Sequence, residues 1–259
     1  MDLPLQLPPP KLRMRIKIGL NLVAFAVALF AAVPSARADR RTFIRSYEYA
    51  TQPAGNLEFE LWNEIQAPKN GGFDQASTLH RFELEYGLTD HWDLALYHVF
   101  SQSAGTFAFQ SWRLETRYRL AEKGLWPVDV LLYFEVERPA AFAEPWETEQ
   151  KLILEKDIGP FTLVANLVAE QKLLHAGEGH NWEVDLGAHY EPVPQLRVAT
   201  EFWMLQEWAG GVSRTSYFLG PSFSVATSKI WLQLGVGFGL GLADTYSSAF
   251  VRSVLGFNL

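Results

Sequence analysis

No cysteine occurs anywhere in the 259-residue chain. That single absence removes disulfide frameworks, thiolate nucleophiles, thiolate metal sites and a cysteine-borne lipid anchor. Basic residues are also short, 22 Lys and Arg against 29 Asp and Glu, and a chain with that balance is a poor partner for nucleic acid. Beyond Asp39 there is no run of about 18 consecutive apolar residues, so no helix in the rest of the chain is built to cross a bilayer. There is no HExxH, no tight histidine pair on one strand and no EF-hand loop, and neither a metal nor a cofactor is expected.

What is present begins with an apolar run from Ile18 to Val33. Lys11, Arg13, Arg15 and Lys17 precede it and Ala36-Arg37-Ala38 follows it, the anatomy of a secretory signal peptide. The expected organisation is a signal peptide over 1–38, with Met14 as an alternative start, then a segment over 39–54, then a barrel over 55–259. The 39–54 segment is expected on the periplasmic side, or with Tyr47 and Tyr49 tucked into the lower barrel. Loss of 1–38 would remove Lys11, Arg13, Arg15, Lys17 and Arg37 but only one acid, Asp2, which leaves the remaining chain still more acidic.

From Leu57 onward the apolar residues alternate. Phe82, Leu84 and Tyr86; Trp92, Leu94 and Leu96; Phe161, Leu163, Ala165 and Leu167; Trp182, Val184, Leu186, Ala188 and Tyr190; and Ile230, Leu232, Leu234, Val236 and Phe238 all repeat with period two. Such segments are strands with one apolar face. About twelve of them can be counted, each roughly ten to twelve residues long, the length of a tilted strand in a bilayer. Their connections alternate between short turn-formers ("GLTD", "DIGP", "EPVPQ", "ATSK") and mostly longer Gly, Ala and Ser-rich stretches ("APKNGGFDQAS", "SQSAGTF", "RPAAFAEP", "QEWAGGVS"). Aromatic residues fall near strand ends in two bands, one with Tyr86, Trp92, Tyr118 and Tyr190, the other with Phe100, Trp112, Trp182 and Tyr217. The expected fold is all-β: a single transmembrane antiparallel up-and-down β-barrel with short periplasmic turns and longer extracellular loops. The competing reading is a soluble sandwich whose charged face points at water.

Two stretches, "YEYATQPAGNLEFELW" (Tyr47 to Trp62) and "HRFELEYGLTDHWDLALYHVF" (His80 to Phe100), resemble a group of uncharacterised proteobacterial outer-membrane barrels. These are similar in style to barrels labelled as meta-pathway phenol-degradation proteins. The resemblance implies a fold and an outer-membrane location; it carries neither a substrate nor catalytic residues. The terminal "FVRSVLGFNL" resembles the last strand by which such barrels reach their insertion machinery, with Leu259 where a terminal Phe is usual. The partners implied are therefore outer-membrane lipid, lipopolysaccharide and that machinery.

By parity the face opposite the apolar one is charged, and its densest part is Glu60, Glu64, Arg81, Glu83, Glu85, Asp93, Arg113, Glu115 and Arg117. With the "GLTD" turn centred near Thr89, Glu85 is expected opposite Asp93, Arg81 opposite Tyr97, Glu60 near Glu85 and Glu64 near Arg81. Such a network reads either as a selectivity ring or cation-attracting passage, or as salt bridges that fill and stiffen the lumen. Asn63, His80, His98 and Gln110 share the outward parity, with His80 expected opposite His98. They read as a polar belt at headgroup level touching lipopolysaccharide, or as the base of a lipid hydrolase for which only Ser101 and Ser103, at the loop edge, could supply a nucleophile. "HAGEGH", with His175, Glu178 and His180, reads as an exposed loop or a weak divalent site. Gly235, Gly237 and Gly239 would make room inside the barrel or relax strand curvature.

Twelve strands enclose an interior between the filled core of eight and the aqueous channel of sixteen. The function expected is a narrow channel or passive transporter for small solutes, not an enzyme. The alternatives are a closed structural or lipopolysaccharide-contacting barrel and, more distantly, an outer-rim lipid hydrolase. Outer-membrane fractions run unheated and heated on a denaturing gel should show a mobility change on boiling; unchanged migration would favour the sandwich.

Overall fold

The computed structural model describes residues 40–69, 75–103, 105–173, 179–241 and 247–259. The signal-peptide reading of 1–38, and His175 and Glu178 of the "HAGEGH" loop, fall outside these residues. The described chain forms β1 (Leu57–Pro68), β2 (Ser77–Thr89), β3 (Trp92–Ser103), β4 (Thr106–Arg119), β5 (Asp129–Pro139) and β6 (Glu147–Ile158), then β7 (Phe161–Lys172), β8 (His180–Val193), β9 (Leu196–Ala209), β10 (Val212–Ala226), β11 (Ile230–Gly239) and β12 (Ser247–Asn258). Each strand pairs antiparallel with its neighbour in sequence, and β1 also pairs with β12 through Asn63 and Ser253. The sheet is thereby closed and keeps no free edge, which is the condition for strands to cross hydrocarbon with every ladder group paired.

Burial is inverted relative to a soluble protein. Leu84, Leu114, Leu132, Leu167 and Leu186 are 45–50% exposed, whereas Glu58, Glu83, Glu85, Asp93 and Glu115 are at most 1% exposed. A sandwich would bury the first set and hydrate the second. An apolar belt running round a closed barrel is stable only against lipid, so the chain is a transmembrane β-barrel.

Both chain ends of the wall, Leu57 and Asn258, lie at the end of the barrel that carries the tight turns 90–91, 159–160 and 194–195. The connection 120–128 at this end is longer. At the other end lie 140–146 and the last residues of β1, β7 and β11, but the expected long loops "SQSAGTF" and "QEWAGGVS" are taken up largely by strand. β9 and β10 are joined through Gly210 and Gly211 alone, whose φ values of 58° and 79° give the left-handed pair that a two-residue hairpin demands. The β2–β3 register also differs from expectation by two residues: Glu85 faces Ala95, Arg81 faces Val99, and Gly87 faces Asp93. A bulge between Gly87 and Thr89 displaces the turn centre toward Asp90 and His91, and every pair slides with it.

The interior is not uniformly polar. Inward Trp62, Tyr97 and Trp231 form one apolar cluster, Ile44, Trp203, Phe218 and Phe250 a second, and Tyr49, Leu131, Tyr133 and Ile153 a third. Ile44 and Tyr49 belong to residues 40–56, which precede the first strand; residues 40–52 lie inside the lumen, and Pro53, Ala54 and Gly55 are exposed. Glycines in the wall open the space for them. A Cβ on Gly187 would stand 2.6 Å from Cε1 of Phe43, one on Gly235 would strike Cγ1 of Ile44, and one on Gly237 would strike the Trp203 ring. Gly235→Val should therefore overpack the lumen at a cost of about 1–3 kcal/mol, read as a lowered thermal midpoint of the folded barrel in detergent; an unchanged midpoint would mean that Ile44 does not rest there.

Candidate functional site

The candidate site is the lumen together with the segment that occupies it. Residues 40–56 make no β-ladder, so their backbone N–H groups need acceptors from the wall, since an enclosed donor left unpaired costs about 1–3 kcal/mol. The wall supplies carboxylates and one amide. Glu201 on β9 accepts from Ile44 N (2.8 Å), Arg45 N (2.9 Å), Ser46 N and Ser46 Oγ (2.7 Å). Asn166 on β7 accepts from Tyr47 N at 2.6 Å and donates back to Tyr47 O at 3.1 Å. Glu155 accepts from Tyr49 N (2.7 Å), Asp93 from Gln52 N (2.9 Å) and Asp90 from Ala54 N (3.0 Å). Ser222 donates to Thr42 O at 2.8 Å, and the Arg252 guanidinium to Ile44 O.

These partners trace the path. From the tight-turn end the segment rises past Asp90, Asp93 and Glu155 to an apex at Ile44–Ser46 beneath Glu201. It then turns back, so that Arg40 pairs with Glu191 near the β8–β9 turn at 3.2 Å. Glu48 closes the bend by accepting from Thr42 N (2.9 Å) and Thr42 Oγ1 (3.1 Å). Burial alone would push the Glu48 carboxyl up. Arg197 at 3.1 Å, with His189 and Thr42, outweighs it and holds the group down at about 2. Beside this bend, a cavity of about 330 Å³ at the tight-turn mouth is bordered by Arg40, Glu48, Lys123, Glu155, Asp157 and Arg197. Deeper in, a cavity of about 50 Å³ lies against Arg45, Arg81, Arg113, Lys151 and Arg252.

All nine charged residues singled out in the sequence lie in the lumen, and the structure joins them through more cations than sequence indicated. Arg117 pairs with Asp93 (2.7 Å), Glu85 and Glu115 (3.4 Å). Glu64 takes Arg81 at 3.0 Å and Arg252 at 2.6 Å. Arg113 takes Glu137 at 2.7 Å and Glu135 at 3.0 Å. Glu60 and Glu83 instead meet Arg41 of the inserted segment, at 3.2 and 3.4 Å. Across the ladder Glu60 stands directly opposite Glu83, with a carboxylate oxygen within 4.8 Å of one of Glu85 as expected, and Glu64 stands opposite Leu79, reaching Arg81 diagonally.

Arg41, Arg45, Trp62 and Glu201 are the residues whose roles the sequence did not disclose. Arg45 reaches Glu183 with Nε at 2.8 Å. The Trp62 indole N–H donates to both Glu60 (2.7 Å) and Glu83 (2.9 Å). A pair of arginines beside aromatics, just ahead of the first strand of an acid-lined barrel, is the signal that could have marked the segment.

On the outside, Asn63, His98 and Gln110 are exposed and His80 partly so. His80 and His98 are not opposite each other; His80 faces Phe100 and His98 faces Phe82, a consequence of the same two-residue slide. His80 hydrogen-bonds Asn63 (2.8 Å) and Gln102 (3.2 Å), and Gln110, the extra residue of a β4 bulge, donates to Ser101 at 2.7 Å. Phe100, Phe107 and Phe109 pack among them. His180 of the "HAGEGH" stretch stacks on Trp208 at 4.7 Å.

No protein-family model and no curated protein sequence matches the chain. Solved structures do match in fold. An outer membrane channel from Pseudomonas putida F1 aligns over 84% of this chain and 100% of its own, with 14% identity and a TM-score of 0.59. The NanC porin aligns over 78% of this chain and 100% of its own at 9% identity and 0.57, and the KdgM porin over 78% and 99% at 9% and 0.55. At such identities the likeness is one of architecture, a closed barrel of the outer-membrane type.

The Glu201 carboxylate is the acceptor on which the apex depends. Replacing it in Glu201→Ala removes charge-assisted hydrogen bonds of about 1.5–3 kcal/mol each. The folded variant should then be cut by trypsin after Arg41 and Arg45 at least tenfold faster than the parent protein; equal cleavage rates in the two would show that Glu201 does not seat the segment.

Proposed function

We propose that the chain is an outer-membrane barrel that passes small solutes passively through a narrow, acid-rich lumen, and that residues 40–54 close this lumen in the conformation described. The observation that carries the reading is that the wall encloses a whole peptide segment that is no part of the wall. The space needed for a passage exists, and its occupant is held by side-chain hydrogen bonds and ion pairs, not by a ladder. With the segment withdrawn, Glu60, Glu83, Glu183 and Glu201 lose their partners Arg41, Arg45 and the apex backbone, and a lumen so charged attracts cations and repels anions.

The reading accords with the resemblance of Tyr47–Trp62 and His80–Phe100 to uncharacterised proteobacterial outer-membrane barrels. It gives the chain no catalytic role. Asn63, His80, His98 and Gln110, set among phenylalanines near the rim, would meet lipopolysaccharide headgroups, and β12, with Leu255 and Phe257 on its outer side, would engage the insertion machinery. A second reading, a permanently closed structural barrel, draws on the extent of the segment's bonding. Planar-bilayer recordings separate the two. The parent protein should show rare, small openings, and Glu201→Ala should raise the open fraction at least fivefold with cation preference; anion preference, or silence in both proteins, would refute the channel.

A further inference from the structure

We infer that Trp62, Glu60, Glu83 and Glu85 form a recognition site for small organic cations bearing a guanidinium or primary ammonium group, and that Arg41 occupies it as a built-in surrogate ligand. The inference builds on the channel reading, since it names the solute class that such a lumen would select, but binding at the site can be measured without any current.

The site is built by the wall alone. Trp62, Glu60, Glu83 and Glu85 are all 3% exposed or less. β1 and β2 bring them together, Glu60 standing opposite Glu83 and Trp62 opposite Arg81. The Trp62 N–H fixes one oxygen of Glu60 and one of Glu83, and one carboxylate oxygen from each of Glu60, Glu83 and Glu85 lies within 4.8 Å of the others. Acids alone would not define a ligand. Here a cation is already seated among them, contributed by a segment that is separable from the wall. Arg41 Nε lies 3.2 Å from Glu60, and Nη2 lies 3.4 Å from Glu83 and 3.8 Å from Glu85. Its guanidinium carbon is 4.7 Å from the centre of the Trp62 ring and 4.5 Å from that of Tyr47.

That combination discriminates between cations. An indole face beside the charge favours a planar, weakly hydrated guanidinium, or an ammonium on an organic stem, over a metal ion that must keep or replace a full shell of oxygens. The indole N–H also competes for two of the carboxylates that a metal would use. Among the wall's arginines, Arg81 and Arg252 bind Glu64 while standing 5.6 and 5.2 Å from the centre of the Trp62 ring, and Arg117 is shared by Glu85, Asp93 and Glu115. The site's Glu85 is thus part-neutralised by the wall, while Glu60 and Glu83 take their guanidinium from Arg41. When the segment withdraws, Arg41 and Tyr47 leave together. The three carboxylates and the Trp62 face remain for a solute entering the lumen.

The test vacates the position without deleting the segment. Full-length Arg41→Ala in detergent should show a saturable rise in thermal midpoint of several degrees in about 10 mM methylguanidinium, as expected when a ligand binds only the folded state. The parent protein, whose site is filled, should not respond, and Trp62→Leu on the Arg41→Ala background should weaken the response at least tenfold in midpoint concentration. An equal shift with sodium chloride at the same ionic strength, or no shift, would overturn the inference. Should Arg41→Ala fold poorly, its refolding yield with methylguanidinium against sodium chloride is the readout, specific rescue supporting the site and its absence refuting it. Silence of every variant in bilayers would sink the channel reading while leaving this binding result intact, and loss of the methylguanidinium response would sink the site while leaving the channel intact.

Discussion

A peptide with no ladder of its own can be enclosed in a barrel only if the wall offers acceptors at the height of each of its donors. Glu201 meets this constraint for three consecutive backbone N–H groups, and Asn166, Glu155, Asp93 and Asp90 continue it toward the mouth. A carboxylate suits the task because it accepts several hydrogen bonds at once and donates none when ionised. An apolar lining would have excluded the segment, since each enclosed N–H would have forfeited its hydration without return. Part of the lumen's acidity is thus the acceptor set for the chain's own residues 44–54.

The same acidity needs counter-charge, and wall and segment share its supply. Arg117, Arg113, Arg81 and Arg252 serve the acids around them, while Arg41 and Arg45 arrive from the segment to serve Glu60, Glu83 and Glu183. Leaving either partner of such an enclosed pair alone costs about 3–5 kcal/mol unless water or another ion takes its place. Seating and solvent entry are therefore coupled. The segment cannot leave a dry lumen behind, and whatever enters must carry positive charge or enough water to hydrate the acids.

The strands were legible because the chain separates two solvents, and period two records that separation residue by residue. Phe82, Leu84 and Tyr86 against Glu83 and Glu85 is the clearest instance. Register was less legible because the bulge at Gly87–Thr89 changes the pairing without changing the alternation; parity survives a two-residue slide and opposition does not. Inward aromatics such as Trp62, Trp203, Phe218 and Trp231 were hidden for a related reason, because an apolar residue on the charged face reads as a flaw in the pattern until its neighbours are known. The course of residues 40–56 has no period at all. Its imprint is on the wall, in Gly187 and Gly235, where the absence of a side chain matches the presence of Phe43 and Ile44.

Trp62 shows why an aromatic ring belongs in the middle of the charge network. A position between Glu60 and Glu64 on the inner face of β1 could have carried another arginine, which would have neutralised its neighbours and left nothing for the segment to bind. The indole instead donates a single N–H shared by Glu60 and Glu83, fixing both carboxylates without cancelling their charge. Its face then lies within reach of Arg41, Arg81 and Arg252 at 4.7, 5.6 and 5.2 Å, an attraction that costs the guanidiniums little desolvation beyond what the carboxylates already compensate. The ring thus separates holding the acids in place from neutralising them. The first is done by the wall, and the second is left to Arg41, a cation the wall does not itself carry.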